Sequence, residues 1–403
     1  MKIVTAILCL CILTFVSCGT ENVIPQSKGA YSQLADAHKS FAIDLLKKLE
    51  DAQPDDNIFF SPASISMALS MTSNGAVGDT YNEISEALRT DKMTLDEINE
   101  AYQSMHYDLE SLDPKVKLNI ANSTWANEGF DVKNAFSDDV ETYYDAEAYT
   151  RDFSKGKTVD EINDWAAKKT ENKIKKVLDQ IDPAARMFLL NAIYFKGDWK
   201  NEFDKKLTQE ADFYVSSNRT VKCDMMTTES DFAYYAGDQI QMVDLPYGNE
   251  SFSMSIILPE DGYALDQLIQ DLDTDKWDRW VRKLDKRDLI VKMPSLELRY
   301  ERVLNEDLQE LGMVTPFIGG IADFANLTDE KVNISFVKHD SFLKIDEKGT
   351  EAAAVTTVGI ELTSAGGGNR TPIMRVDRPY LLIIREQSTD NLLFVGKILN
   401  PSL

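Results

Sequence analysis

The chain has 403 residues, 43% of them hydrophobic, which is enough to bury a large core in one or two domains. Its formal net charge of -24 argues against a nucleic-acid groove, because phosphate binding needs clustered Lys and Arg to displace counterions. The acidic residues are spread along the chain and read as a solvated surface.

Lys2 precedes an almost uninterrupted apolar run from Ile3 to Val16. The run is too short to span a bilayer comfortably and has the length of an export signal. Ser17-Cys18-Gly19 at its end looks like the cleavage point of a bacterial lipoprotein, with Phe15 where that motif usually has Leu. The expectation is a signal peptide over 1–17, a lipid on Cys18 and a polar tether over 18–30. The protein would then be anchored to a bacterial membrane, on its periplasmic or outer face; a secreted form or an uncleaved anchor is the alternative. Cys9 and Cys11 would leave with the signal, so Cys223 is the one thiol left in the body and no internal disulfide can form. With only three histidines in the chain to activate it, Cys223 reads as a buried or half-buried thiol and not as a nucleophile.

Leu34, Phe41, Leu45 and Leu49 recur at helical spacing and stop before Pro54. Ser61-Pro62 supplies a cap and first turn for a helix through Ile65, Leu69 and Met71 that ends at Asn74-Gly75. Further helices are predicted at about Thr80 to Leu88, Leu95 to Leu109 and Val159 to Leu178. The remainder turns to strands: 187–195, 252–258, 289–293, 380–384 and 392–399 are short, rich in branched or aromatic residues and bounded by turn residues. No linker, repeat or low-complexity tract interrupts the chain from Tyr31 until Ala365, which indicates one interwoven domain. Helices first and strands later, without regular βαβ alternation, indicate an α+β fold on large, mainly antiparallel sheets.

Enzyme chemistry finds little to stand on. His38, His106 and His339 are scattered outside any metal-ligand spacing, and no GxSxG elbow, P-loop or GxGxxG precedes a helix. Carboxylates abound, but abundance is not a site. No metal, nucleotide or organic cofactor is implied, and a binding or inhibitory protein is favoured over an enzyme.

Residues 347–363 stand apart. At strand periodicity Thr350, Ala352, Ala354, Thr356, Val358, Ile360 and Leu362 form an uncharged face, while Glu351 and Glu361 lie on the other. This strand with one buriable face runs straight into SAGGGN, a stretch suited to an exposed and cleavable loop.

That segment and its surroundings resemble the serpin family over nearly the whole chain from Tyr31. NIFFSPASISMAL (57–69), INDWAAKKTENKI (162–174), NAIYFKGDW (191–199), LQELGM (308–313), ADFANLT (322–328), IDEKGTEAAA (345–354) and FVGKILNP (394–401) fall in the family's order. The resemblance implies a serpin domain over 31–403 with about eight or nine helices and an exposed reactive-centre loop at about 347–378. It further implies a monomeric suicide inhibitor: a target protease attacks the loop, forms a covalent acyl-enzyme and is dragged along as the loop inserts into the central sheet.

On that resemblance Glu347 and Gly349 begin the hinge, Thr350 enters first, and Ala352, Ala353 and Ala354 are small so that insertion is fast. Counting as the family does, with Glu347 the seventeenth residue ahead of the cut, the reactive bond is Thr363-Ser364. This suits elastase-like or subtilisin-like serine proteases, with papain-like cysteine proteases as a further class. Arg370-Thr371 is the rival bond, for a trypsin-like enzyme. Cutting there leaves about 23 Å of extra extended chain at strand rise, so cleavage at Arg370 is expected to follow the substrate route. His339 resembles the family's shutter histidine, with Asn191, Ser61 and Ser64 as its partners, and Trp199 matches the tryptophan of the breach. Tyr380 replaces a Phe of the C-terminal signature. Two other readings stay open: a non-inhibitory serpin-fold binding protein, and a hydrolase with an unrecognised carboxylate pair.

Overall fold

The computed structural model describes residues 28–350 and 371–402. In chain order the elements are α1 (Lys28–Ala52), β1 (Ile58–Phe60), α2 (Pro62–Ser73), α3 (Gly78–Ala87), α4 (Leu95–Ser111), β2 (Val116–Asn127), α5 (Asn134–Tyr144), β3 (Ala146–Arg151) and α6 (Gly156–Lys169). There follow β4 (Met187–Asp198), β5 (Gln209–Ser216), β6 (Arg219–Gly237), β7 (Ile240–Pro246), β8 (Phe252–Pro259), α7 (Leu265–Asp271), α8 (Thr274–Lys283), β9 (Asp285–Pro294) and β10 (Leu296–Val303). The chain ends with α9 (Asn305–Glu310), β11 (Lys338–Ile345), β12 (Gly349–Thr350), β13 (Ile373–Arg375), β14 (Tyr380–Glu386) and β15 (Leu392–Ile398).

The strands form two sheets. One has the order β1-β15-β14-β8-β7-β6-β9-β13 with β5 added on β6; the other runs β10-β11-β12-β4-β2-β3. Among the described strands only β2–β3 and β9–β13 pair parallel, so the predicted α+β class and mainly antiparallel sheets hold. α2 packs against both β4 and β15 and so lies between the two sheets, where Ile65, Met67, Leu69 and Met71 are buried. Its start follows the sequence: the Ser61 hydroxyl accepts from the Ser64 backbone N–H at 3.1 Å, and Pro62 occupies the first turn, where its missing N–H costs nothing.

Four expectations need correction. α1 begins at Lys28, inside the stretch 18–30 expected as a tether, and the rest of that stretch lies outside the described residues. The helix expected from Val159 to Leu178 spans Gly156–Lys169: Thr170 turns its hydroxyl back onto the Ala166 carbonyl at 2.8 Å, and Glu171 and Asn172 adopt positive φ, so the segment beyond runs irregularly to β4. The helical first third also contains a long strand, β2, whose Asn119, Asn122, Ser123 and Thr124 disguise it. The stretch 347–378 read as loop is tied into a sheet at each described end, by β12 and by β13. Among the described residues, no helix is long and apolar enough to cross a membrane, and no cluster of His, Cys, Asp and Glu could hold a metal.

Candidate functional site

The central feature is a slot in the six-stranded sheet. β4 pairs with β2 along almost its whole length, and β11 with β10 along all of its own, but β4 and β11 share no register pair with each other among the described residues. Among the described residues only β12 stands between them, with Gly349 opposite Asp198, and Thr350 opposite Gly197 on one side and Ile345 on the other. Below it a cavity of about 660 Å³ runs through the sheet, with Ile65 and Leu69 of α2 on one side, Trp165 of α6 and Ile174 on the other, and Leu190 and Asp340 at its edges. Among the described residues, then, two strand edges that would ordinarily pair have no partner strand on their facing sides below β12.

The top of the slot is built around Trp199 and Tyr247, buried rings stacked with centroids 4.5 Å apart. Trp199 donates its indole N–H to the Asp346 carbonyl at 3.0 Å and its backbone N–H to the Lys348 carbonyl at 2.8 Å. Phe203 donates its backbone N–H to the Glu347 carbonyl at 2.8 Å, and the Glu347 carboxylate accepts from the Thr208 hydroxyl at 2.8 Å. The Asp346 carboxylate takes the Lys348 N–H at 2.9 Å, an Asx-type turn that brings the chain back into the sheet. Gly349 is required by close approach: a Cβ there would lie 2.1 Å from the Gly197 carbonyl oxygen. Thr350 is buried, its hydroxyl 2.6 Å from that of Tyr247, whose burial raises its pKa well above the usual phenol value.

Further down, a buried polar chain passes beneath the gap. His339 Nε2 on β11 accepts from the Ser61 backbone N–H at 3.1 Å, so that nitrogen carries no proton, and burial depresses the imidazole pKa to about 3. Ser61 caps Ser64, whose hydroxyl donates to Asn191 Oδ1 on β4. The Asn191 amide donates to Asn122 Oδ1 at 2.7 Å, and the Asn122 amide to the Tyr144 carbonyl at 2.6 Å. The residues Ser61, Ser64, Asn191 and His339 picked from the sequence therefore form one network, in which the start of α2 links the two edges of the slot. Sequence reasoning missed Tyr247, Gly197, Asp346 and Asn122; only Asp346 had a local signal, an Asp shortly before a glycine.

Cys223 is buried, its thiol pushed up to about 11 chiefly by desolvation, which removes it as a nucleophile. Cys18, Ala352, Ala353, Ala354, Thr363, Ser364 and Arg370 lie outside the described residues, while Thr371 sits beside Glu229 and Asp288, 3.4 and 3.3 Å from their carboxylates.

Two large sheets lie around α2, and the six-stranded one is parted below β12 among the described residues, with Gly349 packed against β4 at the head of the slot. The family model described as serpin (serine protease inhibitor) matches residues 36–401. Serpin B8 of Homo sapiens is 35% identical over 378 residues, covering 91% of this chain and 99% of that protein. Iripin-2 of Ixodes ricinus is 32% identical over 374 residues, covering 91% and 93%. Among solved structures, human thyroxine-binding globulin complexed with thyroxine superposes with a TM-score of 0.84 at 30% identity, covering 92% of this chain and 99% of that one. The thermophilic serpin tengpin in its native state gives 0.82 at 29%, covering 93% and 94%. The chain belongs to the serpin family, whose members in general inhibit proteases and are generally not enzymes.

Proposed function

We propose that this protein is a suicide-substrate inhibitor of serine proteases of elastase-like or subtilisin-like preference, with papain-like cysteine proteases as a second class of target. The target attacks Thr363-Ser364, is held as an acyl-enzyme and is carried down the sheet as the cut loop inserts. What supports the reading is the parted central sheet: β4 and β11 present facing edges, and Gly349-Thr350 already stands between them at the top. Insertion adds ladder hydrogen bonds on both edges and fills the cavity with side chains, a large favourable change available only once the loop is cut. Cleavage at Arg370-Thr371 leaves too much slack to distort the protease and follows the substrate route. On the same footing we place a lipid on Cys18, with export to a bacterial membrane; mass measurement of the mature N-terminus against a Cys18→Ala variant tests it.

The likeness to thyroxine-binding globulin complexed with thyroxine favours a second reading, a serpin-fold carrier without inhibitory action. Cutting the loop with a catalytic amount of protease and following heat unfolding separates the two. An inhibitor gains heat resistance on cleavage and titrates active protease when mixed in equal amounts; a carrier whose loop does not insert does neither.

A further inference from the structure

Three strands of the larger sheet, β6, β9 and β13, carry a second surface. Their registers set its rows: Asp231 of β6 lies opposite Asp288 of β9, Glu229 opposite Ile290, and Thr227 opposite Lys292. On the other edge of β9, Ile373 of β13 lies opposite Ile290, and Arg375 opposite Lys292. Paired residues share a face and every second residue returns to it, so all of these stand on one side of the sheet. It is the outer side. Phe232, Leu289, Val291 and Met374 on the other are buried, whereas Glu229, Asp231, Asp288 and Arg375 are exposed and Ile373 is 56% exposed.

The charges on this face work against the sheet that carries them. Asp231 faces Asp288 and Lys292 faces Arg375, and like charges directly opposite across a strand pair are unfavourable. Ile290 and Ile373 lie between the acidic and the basic end. Among the described residues no Lys or Arg pairs with Glu229, Asp231 or Asp288. The Thr371 hydroxyl, 3.4 Å from Glu229 and 3.3 Å from Asp288, has one proton to give. Thr371 thus marks the acidic end as the one nearest the loop. Thr363 of the reactive bond proposed above is eight positions earlier in the chain, at most about 29 Å away at full extension. That is less than the width of an ordinary protease domain, roughly 40 Å, so an enzyme seated on that bond is within reach of this face.

We propose that the outer face of β6, β9 and β13 is a docking surface for the target protease, and that the target it fits is a basic enzyme. A cationic rim beside the enzyme's active-site cleft meets Glu229, Asp231 and Asp288, with Ile290 and Ile373 as the dry centre of the contact. The inference rests on the attack at the loop proposed above and describes the attacker more closely. The net charge of -24 draws the same kind of partner from a distance.

The test measures how fast neutrophil elastase, a strongly basic enzyme, consumes the full mature chain, counting cleaved and complexed chain together. Wild type is compared with E229Q/D231N/D288N and with E100Q/D138N/E141Q, which removes three exposed carboxylates from α4 and α5 instead. At low salt the first variant is expected to be consumed about tenfold more slowly than wild type and the second less than about twofold, the gap closing as salt is raised. The urea midpoint of the first variant is expected at or above that of wild type, because the repulsion between Asp231 and Asp288 is gone. Equal rates for the two variants overturn the proposal, and so does a slowing that persists at high salt. A midpoint below wild type would assign the carboxylates to the fold and overturns it as well. A wild type that is cut but traps nothing sinks the inhibitor reading alone; a slowed, salt-sensitive first variant then still supports docking, and an unslowed one overturns it. A wild type left uncut overturns both.

Discussion

The hydroxyl of Thr350 lies 2.6 Å from the hydroxyl of Tyr247, both buried, and the Tyr247 ring stacks on Trp199. Two residues 103 positions apart in sequence thereby hold the first turn of the hinge inside the sheet. Tyr247→Phe keeps the stacking and leaves the Thr350 hydroxyl buried without this partner. The expected loss is about 1 kcal/mol in urea unfolding, together with faster limited proteolysis near Thr350. An unchanged urea midpoint would show that the contact holds nothing.

Gly349 is packed against the backbone of β4 more tightly than any side chain allows. Gly349→Ala forces its neighbours apart, at a cost of roughly 1–3 kcal/mol, and expels the hinge. The variant is expected to be cut at the normal rate but to release active protease, seen as cleaved chain without complex on a denaturing gel.

Acid is expected to weaken the fold through its buried histidines. His339 and His38 have pKa values lowered to about 3 and about 4, in both cases mainly by burial, so the folded chain keeps them neutral while the unfolded chain protonates them below about pH 6.5. The unfolded state then binds more protons, and stability falls as pH drops from about 6.5 towards 4, by up to about 1.4 kcal/mol per pH unit for each histidine. Above pH 7 neither contributes a slope. His339→Gln can still accept from the Ser61 N–H and is expected to remove about half of this slope, read from urea midpoints at pH 7, 6 and 5.

Cys223, with its thiol raised to about 11, is expected to react with a disulfide reagent at least tenfold more slowly in the folded chain at pH 8 than after denaturation. Equal rates would mean that the strand pair β5–β6 opens readily around it.

The sequence carried the parts of this fold whose signals are local. Ser61-Pro62 announced α2, and the branched and aromatic runs announced β4, β8, β9, β14 and β15. β2 stayed hidden because its buried polar residue Asn122 is satisfied by partners distant in sequence, Asn191 and the Tyr144 carbonyl. The overlong helix after Val159 failed for a related reason, since the Lys-rich pattern continues past Thr170 while the backbone turns away. In the site, His339, Asn191, Ser61 and Ser64 came from the family resemblance. Tyr247 and Gly197 were illegible because their role exists only where β4, β12 and the turn after β7 meet.

The most direct test of the trapping claim is to mix the purified chain from Gly19 with elastase or subtilisin, resolve the products on a denaturing gel, and weigh the released C-terminal peptide. The account predicts a complex that survives denaturation and a peptide beginning at Ser364. Complete cleavage with no complex, and all of the protease still active, would contradict it.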